Sequence, residues 1–508
     1  MFKKKLFKTL HSNTARKKEE YQVTLSKNLN ETVDSIRKVI GESTDVIQRD
    51  FTINHYIRAS LFYIDGLSGI DHIEQNIIKP LTDSSNQILR GQPIERVVNE
   101  VVSVSNISIV DNFDDAILPV MSGDSLLVID GYEKLITLDT RQMDKRSIQE
   151  PQSEIVVRGP RDGFIELLQS NIMLIRRRIK DPNLVVQQGK IGRRSKTDFA
   201  LLYMKGIAPN ELIEEVRFRI SCIDLDGVLE SGTVEQLIEE NVFSPFPQLG
   251  NTERPDKAAG ALMNGQVLIA IDGSPYVLIA PVVLEQLFKS PEDYYERWFI
   301  GTLIRSLRAI AAIIALLLPG VYIAVVSFHQ GMIPTTLALS IAGTREGVPF
   351  PAFIEAILME FTIELLREAG VRLPRPVGQT IGIVGGLVIG DAAVRAGIVS
   401  PVMVIVVALT AIASFALPAY SISISIRILR FSMMIAASIL GLYGMILFYI
   451  AINIHLVGLR SFGSYYTAPI APYDFPSWLD LIWRAPTSIL RKRSVEPETQ
   501  DNTRQSDV

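Results

Sequence analysis

Apolar and charged residues are interleaved on two different scales along this chain. Up to about Glu296 they alternate over a few positions, as in domains that bury one face and wet the other. Beyond it, Ala309 to Phe328, Pro401 to Ile426 and Phe431 to Ile454 contain no charged residue. Each run reaches the ~20 residues a helix needs to cross a bilayer core. A further stretch, Pro376 to Gly390, is uncharged for fifteen residues before Asp391 interrupts it, and it counts as a fourth span. The pattern predicts an α/β cytosolic region followed by an α-helical transmembrane domain of at least four spans.

Inside the first half the periodicity changes again. Residues before Thr44 are polar and helix-prone, and apolar positions three and four apart, such as Ile57, Leu61 and Ile64, read Asp50 to Ile109 as helices. Ser125 to Thr140 then sets two apolar runs on either side of an Asp-Gly pair, the strongest short hairpin signal. Gln266 to Pro281 repeats the layout around Asp272 and Gly273, and a glycine, Gly123 or Gly265, closes the segment before each hairpin. This repetition predicts two α/β subdomains. Between them, Ile155 to Phe164 reads as strand and turn, Ile165 to Lys180 as a helix with Arg176 to Arg178 on a solvated face, and Asn183 to Ile207 as another strand pair. The predicted divisions are a basic polar segment over 1–45, a first helical and α/β subdomain over 46–145 and a second α/β subdomain over 146–295. Transmembrane helices follow over 296–460 and a cytosolic tail, unstructured beyond Arg491, over 461–508.

Charge narrows the partners. A net charge of −4 with balanced acids and bases gives no reason to invoke nucleic acid. The basic tip up to Lys18 lacks the apolar run of a secretory signal and suits contact with anionic lipid. Arg297, Arg305 and Arg308 before the first span, and Arg460, Arg484, Arg491, Lys492 and Arg493 after the last, place both ends on the cytosolic side. A single cysteine, Cys222, excludes an internal disulfide, and the five histidines never fall at metal-ligand spacing, so neither metal nor cofactor is expected.

Four motifs carry candidate chemistry. Ser221 to Gly232 contains Asp224-x-Asp226-Gly227, the nucleophile pattern of haloacid-dehalogenase-type phosphatases, but the chain after it offers no parallel sheet for the other ligands. Ser244 to Asp256 is proline-rich, and its Glu253 and Asp256 suit the N-terminus of a helix over Lys257 to Met263. Pro351 to Ala369 is a capped amphipathic helix with Glu360, Glu364, Arg367 and Glu368 on one face and Glu355 on the other. It fits equally a helix in the membrane interface, its acidic stripe facing water, and one crossing inside an oligomer. Gly382, Gly386 and Gly390 recur every fourth residue, which lets helices approach closely in lipid, and Asp391 and Arg395 follow one turn apart. The alternative for Asp391 to Gly397 is a loop between spans.

In chain order, GPRDGF, GRRSKTDFALLY, IDLDGVLESG, SPFPQ with TERPD, and IGIVGGLVIGDAAVRAGIVSP closely resemble the A-subunit family of GerA-type spore germination receptors. The resemblance implies a multi-pass protein of the endospore inner membrane, not an enzyme, with a transporter-like B subunit that senses the nutrient and a lipoprotein C subunit as partners. It also implies a homo-oligomer, pentameric, that forms a ligand-gated cation channel. On this chain that makes Gly382, Gly386, Val388, Gly390, Asp391 and Arg395 the first pore-lining or gating candidates, and Glu360 and Glu364 the second. Leu249-Gly250-Asn251 stands where the family pattern has a tyrosine-type residue. A stage V AF-type sporulation membrane protein of the same architecture, acting beside the receptors, is the alternative.

Overall fold

The computed structural model describes residues 23, 25–54, 56–83, 98, 100–142, 149–372, 386, 388–481, 483–493 and 499–505. Gly382 and the basic N-terminal tip lie outside the described residues.

The first α/β unit begins with helix α1 (Leu29–Ile40), capped by Asn28, whose side chain accepts from the Asn30 N–H. Strands β1 (Val46–Ile53) and β2 (Ile57–Ile64) pair antiparallel with Val46 opposite Ile64. They replace the helices expected from Asp50; among the described residues the helical reading holds for Ile70–Thr82 and for 98, 100 and 101. β2 lies inside the sheet, with Leu61 and Tyr63 packed on one face and Phe62 and Ile64 on the other. A strand buried on both faces loses the alternation that would identify it. Strand β3 (Ile107–Val110), helix α2 (Phe113–Met121) and strands β4 (Ser125–Ile129) and β5 (Leu135–Leu138) complete the unit, in strand order β1-β2-β4-β5-β3.

The second unit repeats the plan. Helix α3 (Leu168–Arg178), strands β6 (Leu184–Ile191) and β7 (Thr197–Met204), helices α4 (Asn210–Ser221) and α5 (Ser231–Ile238), strand β8 (Gly250–Thr252), helix α6 (Pro255–Met263) and strands β9 (Val267–Ile271) and β10 (Val277–Ala280) give the order β6-β7-β9-β10-β8. The two Asp-Gly pairs turn β4 into β5 and β9 into β10, with Gly131 and Gly273 at φ 81° and 85°, left-handed angles that glycine adopts freely. Every described strand pair is antiparallel. The parallel scaffold of the phosphatase reading is therefore missing. Asp224 and Asp226 sit on an exposed loop, Asp224 paired to Arg193 at 2.7 Å.

Arg176 joins the units. The run Arg176 to Arg178 is not a solvated face: Arg176 is buried and bidentate to Asp45 at 2.8 Å through both contacts, with Ser43 at 2.7 Å. Arg178 grips both oxygens of Asp162 at 2.6 Å. Adjacent arginines on a helix point 100° apart, so a run of three cannot share one environment.

The helical half comprises α7 (Trp298–Ser327), α8 (Thr335–Arg345), α9 (Ala352–Arg372), a helical segment at 388–395, α10 (Pro401–Phe415) and α11 (Tyr420–Gly458). Among the described residues, α7 and α11 qualify by length and composition to cross a membrane, and α10 is shorter and apolar; the fourth expected span, Pro376 to Gly390, lies mostly outside the described residues. The expected runs are cut differently. Pro401 to Ile426 breaks after Phe415, before Pro418, and Phe431 to Ile454 breaks at Gly441, which is non-helical at φ 62° and ψ −142°. At Gly441 the chain reverses. Ser425 donates to the Pro245 carbonyl and His455 bonds Ser244 at 2.9 Å, so both ends of α11 meet one loop of the second unit. A straight helix would separate those residues by about 45 Å at ~1.5 Å per residue.

Contacts fix each helix's direction. α7 starts beside the soluble units, where Arg305 and Arg308 bond Asp293, and ends at the far side, where His329 packs on Gly441. α9 returns: Glu355 meets Ser400 at the far end and Glu364 meets Arg427 near the soluble end. α10 also runs back, and the two arms of α11 go out and return. The tail is partly ordered against the second unit, with the Gln500 N–H bonded to the Ile207 carbonyl at 3.0 Å.

Candidate functional site

Charged side chains inside an apolar bundle are the first place to look for function. α9 presents Glu360, Glu364 and Arg367 on adjacent turns toward the first arm of α11, which carries Arg427 and Arg430. Arg430 bonds Glu360 at 2.9 Å, and both side chains are 1% exposed. Glu364 is shared three ways, by Arg427 at 2.8 Å, Arg367 at 3.2 Å and Arg430 at 3.3 Å. Arg430 also approaches Ser414 of α10 at 3.4 Å. Arg367 lies over the Phe415 ring at 4.7 Å and Arg427 over Tyr420 at 5.9 Å. Three guanidiniums face two carboxylates, so the network is net positive.

The candidate residues do not gather in one place. Glu360 and Glu364 are in this network, which corrects the expectation of an acidic stripe facing water. Glu355 belongs to a second cluster at the far end, where it accepts from Arg345 at 2.8 Å and from the Ser400 N–H at 2.9 Å, tying α9 to the cap of α10. Asp391 and Arg395 pair at 2.9 Å and are both exposed. Val388 is exposed too, among the described residues nothing lies within 4 Å of a Cβ at Gly386, and Gly390 packs on Val404. Arg427 and Arg430 escape the sequence reading because the uncharged runs end at Ile426 and resume at Phe431, which reads them as the gap between spans. Two arginines three apart, at helical spacing, between apolar runs were the available signal.

At the junction with the soluble units, two sequence motifs prove to be one structure. Arg254 of TERPD is buried, donates to the Glu154 and Pro160 carbonyls at 3.2 and 3.0 Å, and pairs with Asp256 at 2.8 Å. Glu253, expected near the helix start, instead accepts from the Gln152 and Ser153 N–H groups at 2.6 and 3.0 Å. Tyr295 donates to Asp256, and burial followed by that carboxylate pushes its hydroxyl pKa up. Two residues before Tyr295, Asp293 holds Arg305 and Arg308, while Asp480 from the returning chain holds Arg305 at 2.8 Å, Lys289 at 3.4 Å and the Tyr294 hydroxyl at 2.6 Å. Burial pushes Asp480 up, but Lys289 and Arg305 outweigh it and hold the carboxyl below its ordinary value. Among the described residues no group of three His, Cys, Asp or Glu is placed to hold a metal ion.

Comparison with known proteins gives a consistent assignment. The family profile described as Bacillus/Clostridium GerA spore germination protein matches residues 34–496. The chain is similar to Spore germination protein GerLA of Bacillus cereus, 45% identical over 94% of this chain and 97% of that protein. It is similar to Spore germination protein KA of Bacillus subtilis (strain 168), 44% identical over 96% of this chain and 90% of that protein. Among solved structures, the N-terminal domain of the A subunit of the Bacillus megaterium spore germinant receptor GerK3 is 36% identical, with TM-score 0.41, covering 51% of this chain and 97% of that one.

Proposed function

Because the chain belongs to the GerA spore germination protein family, we propose that it is the A subunit of a nutrient-responsive germination receptor and that its copies form a ligand-gated cation channel in the spore inner membrane. A transporter-like B subunit and a lipoprotein C subunit complete the receptor in this reading. The soluble units and the tail lie at the same end of the bundle, which favours an even number of crossings with both termini in the cytosol. We count six directions: α7 out, α9 back, the described helical residues 388–395 out, α10 back, and the two arms of α11 out and back.

The observation that supports the reading is the polar junction between the soluble motifs and the bundle. Arg254 and Asp256 pair and hold the Tyr295 hydroxyl, and two residues before Tyr295 Asp293 holds Arg305 of α7 together with Asp480, which gives a rigid connection between the soluble half and the membrane helices. For the pore, the segment holding Gly386, Val388, Gly390, Asp391 and Arg395 is the better candidate, since much of it is exposed in one chain and free to face neighbours. Glu360 and Glu364 are weaker candidates, because three arginines neutralise them and a net positive site repels cations. The test is early potassium release from spores lacking this protein, and lacking overlapping receptors, across amino acids and sugars. Loss to one nutrient class, restored by the gene with its B and C partners, supports the receptor role; normal release to every nutrient overturns it.

A further inference from the structure

We propose that the arginine cluster where α9, the end of α10 and the start of α11 meet binds one phosphate group, that of an anionic lipid headgroup, through Arg367 and Arg427. The proposal rests on the membrane reading above but not on channel activity.

Three observations converge. The first is charge: Arg367, Arg427 and Arg430 exceed Glu360 and Glu364 by one, which matches one phosphodiester. The second is unused donors. Among the described residues, Arg367 Nε and Nη2, Arg427 Nε and Arg430 Nε are buried without a hydrogen-bond partner. Guanidinium donors in that state favour an anionic oxygen acceptor, and their planar fork suits phosphate. Glu360 Oε1 is also unpartnered, but Glu360 is 1% exposed; Glu364 is 24% exposed with its oxygens already taken by Arg367, Arg427 and Arg430, while Arg367 and Arg427, each 13% exposed, keep donors free.

The third is place. α10 stops at Phe415, while α9 continues to Arg372 and α11 begins at Tyr420, so the arginines lie among helix ends at the soluble end of the bundle. Phe415 and Tyr420 hold Arg367 and Arg427 against their rings, which keeps the donors in position. That end is where headgroups of the leaflet nearest the soluble units lie, within reach of long arginine side chains.

The test uses the full-length protein in nanodiscs of phosphatidylcholine with or without phosphatidylglycerol, read by native mass spectrometry of retained lipid. Wild type is expected to hold about one phosphatidylglycerol per chain through delipidation, and Arg367→Gln with Arg427→Gln to hold it about tenfold more weakly or worse, as loss of charge-assisted hydrogen bonds implies. Arg372→Gln, whose partner is the surface residue Glu368, should match wild type. Arg367→Lys with Arg427→Lys keeps both charges and guards against misfolding of the glutamine pair; intermediate retention is expected. Retention equal to wild type in both arginine sets overturns the site. Inorganic phosphate added to phosphatidylcholine discs separates the sources: weak binding supports the lipid, and binding as tight as that of phosphatidylglycerol overturns the lipid assignment. Protein that never incorporates into discs contradicts the membrane reading instead.

Discussion

The soluble and helical halves bury charge in different ways. In the soluble half the buried arginines are fully matched: Arg176 has Asp45 and Ser43, and Arg254 has Asp256 and two carbonyls. Among the described residues, the buried guanidinium nitrogens without partners belong to Arg305, Arg345, Arg367, Arg427, Arg430 and Arg484, all in the helical half or the chain returning from it. Leaving a buried charged donor without a partner costs stability, and the soluble half avoids that cost by complete pairing. A bundle that keeps incomplete pairs in an apolar setting keeps them for something other than stability.

That contrast can be broken most sharply by the same swap in both halves. Arg430→Ala should destabilise the full-length protein by about 3–5 kcal/mol, because Glu360 is left buried and unpaired, and Asp45→Ala should do the same through Arg176. Replacing each whole pair by leucines should return the melting temperature in detergent close to wild type in both cases. Germination should return only with the Asp45 and Arg176 swap. Recovery with the Glu360 and Arg430 swap as well would make the two halves equivalent and remove the functional reading of the bundle charges.

The next largest effect is expected at the glycines of the 388–395 region. Among the described residues, a Cβ at Gly386 meets nothing within 4 Å and one at Gly390 only Val404 at 3.6 Å, so leucine at either is expected to leave the single chain folded. Loss of potassium release from spores holding normal amounts of Gly386→Leu or Gly390→Leu would place these residues against neighbours or a pore. Wild-type release would remove them as candidates.

A smaller effect tests pH in the soluble half. Burial, followed by Glu239 and Glu230, pushes Glu235 up to about 7. The folded state then binds more protons than the unfolded one between pH ~4.5 and ~7, so stability falls as pH rises through that window and stays reduced above it. Glu235→Gln should abolish that fall, by at most about 3 kcal/mol, in denaturant titrations at pH 5 and 8. The smallest effect belongs to Asp224. Its pair with Arg193 is exposed, and Asp224→Asn should shift stability by less than about 0.5 kcal/mol and leave germination intact.

What the sequence disclosed follows the same divide. The two hairpins are legible because an Asp-Gly pair between apolar runs has one common outcome, and the repeat of that pattern reveals both sheets. β2 is not legible, because Leu61, Phe62, Tyr63 and Ile64 are apolar on both faces. The reversal at Gly441 is hidden in an uncharged run, where a glycine reads as a packing residue and not as a turn. Glu360 and Glu364 could be found as charges on an apolar helix, with Arg367 beside them, but Arg427 and Arg430 come from α11, more than sixty residues later, and no local pattern links them. Arg176 shows the same limit in the soluble half: its partner, Asp45, lies 131 residues earlier.

The central claim is that this chain conducts cations when assembled. The direct measurement is potassium flux through the purified full-length protein, with and without its B and C partners, in liposomes of defined lipid. The account predicts a flux that needs the assembled protein, selects cations over anions, and is lost in Gly386→Leu at unchanged assembly. Intact, correctly inserted oligomers that pass no ions, with nutrient and all three subunits present, would contradict it.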